Sequence, residues 1–199
     1  PSSTAASREG MSLSSQYDAV VATLLAAGVP DAEVDASLLL GHVLGLGRGE
    51  VEAKLIAGSL LTPEQADELA VLAARRAARE PLQHILGVAW FRSLTLNVGP
   101  GVFVPRPETE LLAGMAIDAL RALPDPEPIA VDLGTGSGAI AIAMASEVPH
   151  ARVVAIEKSD EAFSWTSRNF AEVGVSNAQL VHGDLTGNDL LQAYPELAG

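Results

Sequence analysis

The chain contains no cysteine, which removes disulfides, thiolate catalysis and cysteine-ligated metals together. Aromatic residues make up 4% of it, so leucine, valine, isoleucine and alanine must fill any core. Basic residues are also few. Against 25 acidic residues stand 12 Lys and Arg, a net charge of −13, and such a field repels phosphate backbones, so no direct nucleic-acid partner is expected. No apolar run approaches the ~20 residues of a membrane span, and no basic segment leads into an apolar one near the start. The expectation is therefore a cytoplasmic protein without a membrane partner. His42, His84, His150 and His182 are scattered without ligand spacing, so no metal is expected. A length of 199 residues accommodates one large domain or two small ones.

What the chain does have is Val131-Asp-Leu-Gly-Thr-Gly-Ser-Gly138, preceded by Ile129-Ala130 and followed by the apolar run 139–145. It reads as a buried strand, a glycine turn and the opening of a helix. Glycines at alternate positions allow a tight turn and let a ligand lie against bare main chain, while the helix directs free N–H groups to the same place. Gly134, Gly136 and Ala139 satisfy a loose dinucleotide pattern. Asp132 opposes that reading, because a carboxylate at the strand's end repels a pyrophosphate and attracts a cationic ligand. S-adenosylmethionine, with sulfonium and ammonium groups, is such a ligand. A phosphate-binding P-loop is excluded, since no Lys-Ser or Lys-Thr follows the glycines. The plain alternative, a ligand-free connection, is set aside because an Asp and three glycines have no packing rationale here.

Residues 1–15, rich in Ser and Ala, are expected to be a disordered tail or tag. Residues 16–80 are expected to form a helical bundle without strands. Its first helix would turn Tyr17, Val20, Val21, Leu24 and Leu25 inward, and its second Val34, Leu38, Leu39 and His42. Thr62-Pro-Glu-Gln65 is a helix start, and Arg75, Arg76 and Arg79 suit that helix's C-terminal dipole. From Pro81 to Val98 the pattern changes to strand, with a hairpin turning near Arg92-Ser93, and 81–106 is read as hairpin and linker. A helix beginning at Pro107 would bury Leu111, Leu112, Met115, Ala119 and Leu120.

The remainder, 107–199, alternates strand and helix, the α/β pattern of a doubly wound parallel sheet. Ala151–Ile156 and Ala178–His182 are its next strands. Acids stand at the ends of three successive strands, Asp132, Glu157 and Asp184, where such a sheet forms its ligand crevice. Glu157 is placed to take both hydroxyls of a ribose.

Two stretches beyond the glycine turn carry a resemblance: Pro81-Leu-Gln-His-Ile-Leu-Gly87 and Phe103-Val-Pro-Arg-Pro-Glu-Thr-Glu-Leu-Leu112. With Asp132–Gly138, the chain from about Tyr17 onward resembles the bacterial release-factor glutamine methyltransferases. Arg106-Pro-Glu-Thr109 is the most specific element, since the related ribosomal-protein methyltransferase differs after the Arg. The resemblance implies a Rossmann-like methyltransferase fold behind a helical substrate-recognition domain. It also implies methyl transfer from S-adenosylmethionine, leaving S-adenosylhomocysteine, to the glutamine amide of the Gly-Gly-Gln loop in class I peptide-chain release factors. A monomer is expected.

The implied site carries over residue by residue. Asp132, Gly134, Thr135, Gly136, Ser137 and Gly138 would hold the methionine part, Glu157 the ribose, and Asp184 with Leu185 the adenine. Phe103 and Thr109 would close over the cofactor, with Arg106, Pro107 and Glu108 on the substrate side. Leu185 departs from relatives that carry an aromatic there. The family's Asn-Pro-Pro-Tyr motif, which positions the amide nitrogen, is not in this sequence, and the chain is expected to be a piece of a longer protein lacking catalytic residues of its own. A non-catalytic fragment that binds cofactor or release factor, and a methyltransferase acting on a ribosomal protein, are the alternatives.

Overall fold

The computed structural model describes residues 10–185, which divide in sequence between Leu86 and Gly87 into two compact units. The first is helical: α1 (Leu13–Ala26), α2 (Ala32–Leu44), α3 (Arg48–Ile56), α4 (Pro63–Ala77) and the short α5 (Leu82–Leu86). They close around Leu13, Leu24, Leu39, Leu40, Val51 and Leu69, all buried. The start of α4 follows its sequence, with Thr62 and Gln65 exchanging side-chain and backbone hydrogen bonds and Pro63 in the first turn.

Several expectations are corrected in this unit. Residues 1–9 lie outside the described residues, but residues 10–15 are built into the fold. β1 (Met11–Ser12) pairs antiparallel with β2 (Leu60–Leu61), Ser12 caps α1, and Leu13 is buried. Leu25, Val34 and His42 face outward rather than inward. In α2 the buried positions are Ala32, Asp35, Ala36, Leu39, Leu40 and Gly41, a helical stripe set one residue away from the expected one. Asp35 accounts for the shift, because its carboxylate is drawn inward to Arg76 Nε at 2.7 Å. The arginines therefore do more than suit a dipole: Arg75 makes a fork on Glu80, and Arg79 donates to the Gly28 carbonyl. Leu82–Leu86, expected in extended form, is α5.

The second unit opens with the hairpin β3 (Val88–Phe91) and β4 (Leu94–Asn97), which turns where the sequence places it. Arg92 there has φ 53°. After it come α6 (Pro107–Ala122), β5 (Ile129–Leu133), α7 (Ala139–Glu147), β6 (Arg152–Glu157), α8 (Asp160–Val173) and β7 (Ala178–His182). The three strands pair in parallel in the order β5-β6-β7, the strand-helix-strand unit of a doubly wound Rossmann-like sheet. α7 is apolar on every side, with Ala141, Ile142, Ala143, Met144 and Ala145 all buried, as a helix enclosed by sheet and neighbours requires.

α6 meets its expected face only at Leu120. It buries Ala113, Ile117 and Leu120, while Leu111, Leu112 and Met115 are 72%, 56% and 63% exposed. The side that packs into the core is the one that joins Ala113, Ile117 and Leu120 to α7's alanines and Ile142, where small residues permit close approach. Hydropathy alone selected the wrong side of a helix that is apolar on both. At the turn of the hairpin, Arg92 donates from its backbone to Glu110 Oε1 and from its guanidinium to the Glu110 carbonyl and both oxygens of Glu147. One side chain thus ties hairpin, α6 and the end of α7 together.

Candidate functional site at the glycine turn

The chain leaves β5 with Gly134, Gly136 and Gly138 at φ 73°, 60° and 83°, a left-handed conformation that favours glycine. The three are not equivalent. A Cβ at Gly138 would lie 2.9 Å from Thr166 and 3.1 Å from Ile142, whereas at Gly134 or Gly136 it would meet nothing within 4 Å. Gly138 is required by packing. Gly134 and Gly136 border open space, which is what a ligand lying against the main chain needs.

Asp132 turns out to have a structural task. Its Oδ2 accepts the Thr135 hydroxyl at 2.6 Å and the Ala141 N–H at 3.1 Å, so the carboxylate caps the first turn of α7 and braces the glycine turn. This corrects the expectation that the residue has no packing rationale. Burial pushes its carboxyl above the usual range, the two hydrogen bonds oppose that, and the neighbouring Glu157 adds to the rise.

Glu157, at the end of β6, is buried. Its Oε2 accepts the Gly136 N–H at 2.8 Å, and its Oε1 accepts the Lys158 and Ser159 N–H groups at 2.9 Å each. Three of its roughly four acceptor positions are thereby occupied. The Ile156 carbonyl takes the Gly134 and Thr135 N–H groups, and the Glu157 carbonyl takes that of Gly183. Backbone bonds therefore lace the ends of all three strands together. Asp184, just beyond β7, pairs with Lys158 Nζ at 2.7 Å, and Leu185 is 45% exposed. The three strand-end acids expected from the sequence do stand along one edge.

The segment 99–109 leading into α6 is fixed at its start and open at its tip. Trp165 Nε1 donates to the Pro100 carbonyl at 3.0 Å, and the Trp165 ring and the Glu161 side chain lie where Cβ atoms at Gly99 and Gly101 would be. Val102 and Val104 pack with Ala89, Val98, Ala162 and Trp165. Beyond them Phe103 is 86% exposed, so its ring does not rest on the turn. Arg106, Pro107 and Glu108 are exposed, and Thr109 is half-buried.

Sequence reasoning missed the residues behind the turn. Thr166 and Asn169, both fully buried on α8, reach forward to it: the Thr166 hydroxyl bonds the Gly136 carbonyl, and Asn169 Nδ2 donates to the Ser137 carbonyl at 2.9 Å. The available signal was two polar residues three apart within the inward stripe of α8. Among the described residues no group of three or more His, Asp or Glu is placed to hold a metal ion, and no helix is long and apolar enough to cross a membrane.

Comparison with known proteins follows the same division of the chain. The PrmC N-terminal domain model matches residues 17–87, and a precorrin methyltransferase domain model matches 110–196. The chain is 50% identical over 176 residues to the release factor glutamine methyltransferase of Streptomyces coelicolor, covering 87% of this chain and 57% of that protein. It is 44% identical over 187 residues to that of Mycolicibacterium smegmatis, covering 94% and 62%. With that of Escherichia coli it shares 40% over 150 residues, covering 75% and 52%. This chain thus spans between about half and three fifths of the length of these relatives.

Proposed function

We propose that this chain, similar in sequence to the release factor glutamine methyltransferases, is part of such an enzyme and holds S-adenosylmethionine at the carboxyl ends of β5, β6 and β7 for methylation of a release factor glutamine. The observation that carries the reading is the open space beside Gly134 and Gly136 with Asp132, Glu157 and Asp184 around it. A ligand with a positive amino acid end and a ribose fits that arrangement. A pyrophosphate does not.

Bound there, S-adenosylmethionine supplies an electrophilic methyl group on a sulfonium. The chain's own residues divide the binding. Gly134–Gly138, with Thr135 and Ser137, offer main chain to the methionine part, and Asp132 supplies the negative field for its cationic groups. Glu157 keeps an acceptor position for the ribose hydroxyls, while Asp184 and the apolar Leu185 face the adenine. Phe103 and Thr109 belong to the segment that would close over the donor, and Arg106, Pro107 and Glu108 to the acceptor side. The helical unit is assigned to recognising a class I release factor, whose Gly-Gly-Gln glutamine is the acceptor. On this proposal the protein works in the cytoplasm, as a monomer. No Asn-Pro occurs in these 199 residues, so their share of the reaction is holding the donor and the partner.

Titration calorimetry with S-adenosylhomocysteine tests the donor half. One site per chain is expected, with binding lost in Gly136→Ala. No heat from the parent chain overturns the reading. For the acceptor, the chain should retain a class I release factor on a column and fail to retain ribosomal proteins; the reverse preference overturns the release-factor assignment.

A further inference from the structure

We propose that Thr166 and Asn169 of α8 are positioning residues for the methyl donor, acting through the carbonyls of Gly136 and Ser137, with Asn97 fixing the Asn169 amide. The inference rests on the donor-binding reading above and adds residues that touch no donor.

A trans peptide is planar, with its C=O and N–H pointing in opposite directions. The Gly136 carbonyl is bonded to the buried Thr166 hydroxyl and the Ser137 carbonyl to the buried Asn169 amide. Binding the Gly136 carbonyl from behind turns the Ser137 N–H, on the same peptide, away from α8. That direction suits a donor bond to the carboxylate of an amino acid ligand. A turn rich in glycine has many alternatives to this arrangement, so two side chains that select it do in advance what the ligand would otherwise have to do.

The clamp is itself oriented. Asn169 Oδ1 accepts the Asn97 backbone N–H at 2.7 Å and the Asn97 Nδ2 at 3.0 Å, and Asn169 Nδ2 also donates to the Asn97 carbonyl at 3.0 Å. Acceptor and donor ends of the amide are therefore both specified, and the end facing Ser137 must be the donor. Asn97 Nδ2 is in turn held by Glu172 Oε2 at 2.6 Å. Thr166 has a similar constraint: its hydroxyl also lies 2.9 Å from the Ala162 carbonyl, and its methyl packs against Gly138. Asn97 ends β4, two residues before the Gly99 that lies under Trp165, so α8 seats the 99–104 segment and the glycine turn from one helix.

The test is S-adenosylhomocysteine affinity measured by calorimetry beside melting temperature, on the whole chain. Thr166→Val keeps the shape and removes the hydroxyl, and it should weaken binding roughly tenfold. Thr166→Ser restores the hydroxyl and should stay within about threefold of the parent although it loses a packed methyl. Asn97→Ala, which leaves the two backbone bonds to Asn169 intact, should weaken binding by roughly threefold and serves if Thr166→Val does not fold. Amide hydrogen exchange without ligand should be faster at residues 136–138 in Thr166→Val than in Thr166→Ser. Affinities of Thr166→Val and Asn97→Ala equal to the parent's overturn the positioning role alone. A parent that binds no S-adenosylhomocysteine overturns the donor reading and this role with it.

Discussion

The glycine turn and the 99–109 segment are both assigned to one ligand, yet they are built in opposite ways. Around the turn nearly every polar group is committed: Asp132 to Thr135 and α7, Glu157 to three backbone N–H groups, and two carbonyls to α8. The other segment is held by Trp165 near its start, by the packing of Val102 and Val104, and by Arg92 on Glu110 just beyond its end. Between them it exposes Phe103, Arg106, Pro107 and Glu108. The difference separates two tasks. A site that must recognise a ligand gains from being formed beforehand, while a segment that must admit both donor and acceptor needs side chains free to settle on them.

The contrast is broken most forcefully at Gly138. Gly138→Ala combines a left-handed backbone with a Cβ forced against Thr166 and Ile142, and should cost about 3 kcal/mol of stability, read by urea denaturation. Gly134→Ala, with the same backbone but open space, should cost about 1 kcal/mol and act mainly on S-adenosylhomocysteine binding. Equal losses would erase the distinction between a packing glycine and a ligand glycine.

A smaller effect comes from the anchor at the segment's end. Hydrogen bonds from Arg92 hold the Glu147 carboxyl below its ordinary 4.5. A folded-state value below the unfolded one contributes stability that is present above pH 4.5 and lost as the pH falls through the lowered value. Asp132 has the opposite sign: its raised value contributes stability at acid pH that is lost as the pH rises through it. Glu147→Gln should therefore flatten the acid side of a stability–pH curve, and Asp132→Asn the side above 3.8, where an unperturbed Asp has already ionised. The smallest stability effect belongs to Phe103→Ala, within about 0.5 kcal/mol because the ring is exposed, with a larger loss in S-adenosylhomocysteine affinity if the ring closes over the donor.

Much of this organisation was legible in the sequence. Alternating glycines, a strand-end acid on each of three strands and the capping box at Thr62 act through local chemistry, and the structure has them where the pattern put them. The illegible part is tertiary. α6 is apolar on two sides, so hydropathy could not say that Ala113 and Ile117 would be enclosed and Leu111 and Met115 exposed. The stripe of α2 was displaced by an ion pair whose partner, Arg76, is 41 residues away. Thr166 and Asn169 looked like ordinary polar helix residues until the turn they bond was folded beside them.

These residues are proposed to hold an adenosyl amino acid at the glycine turn. Following backbone amide resonances during titration of the chain with S-adenosylhomocysteine tests it directly. Shifts should concentrate on residues 134–138, Glu157 and Asp184, saturating at one equivalent. Shifts confined to the helical unit of residues 10–86, or none at a tenfold excess of ligand, would contradict it.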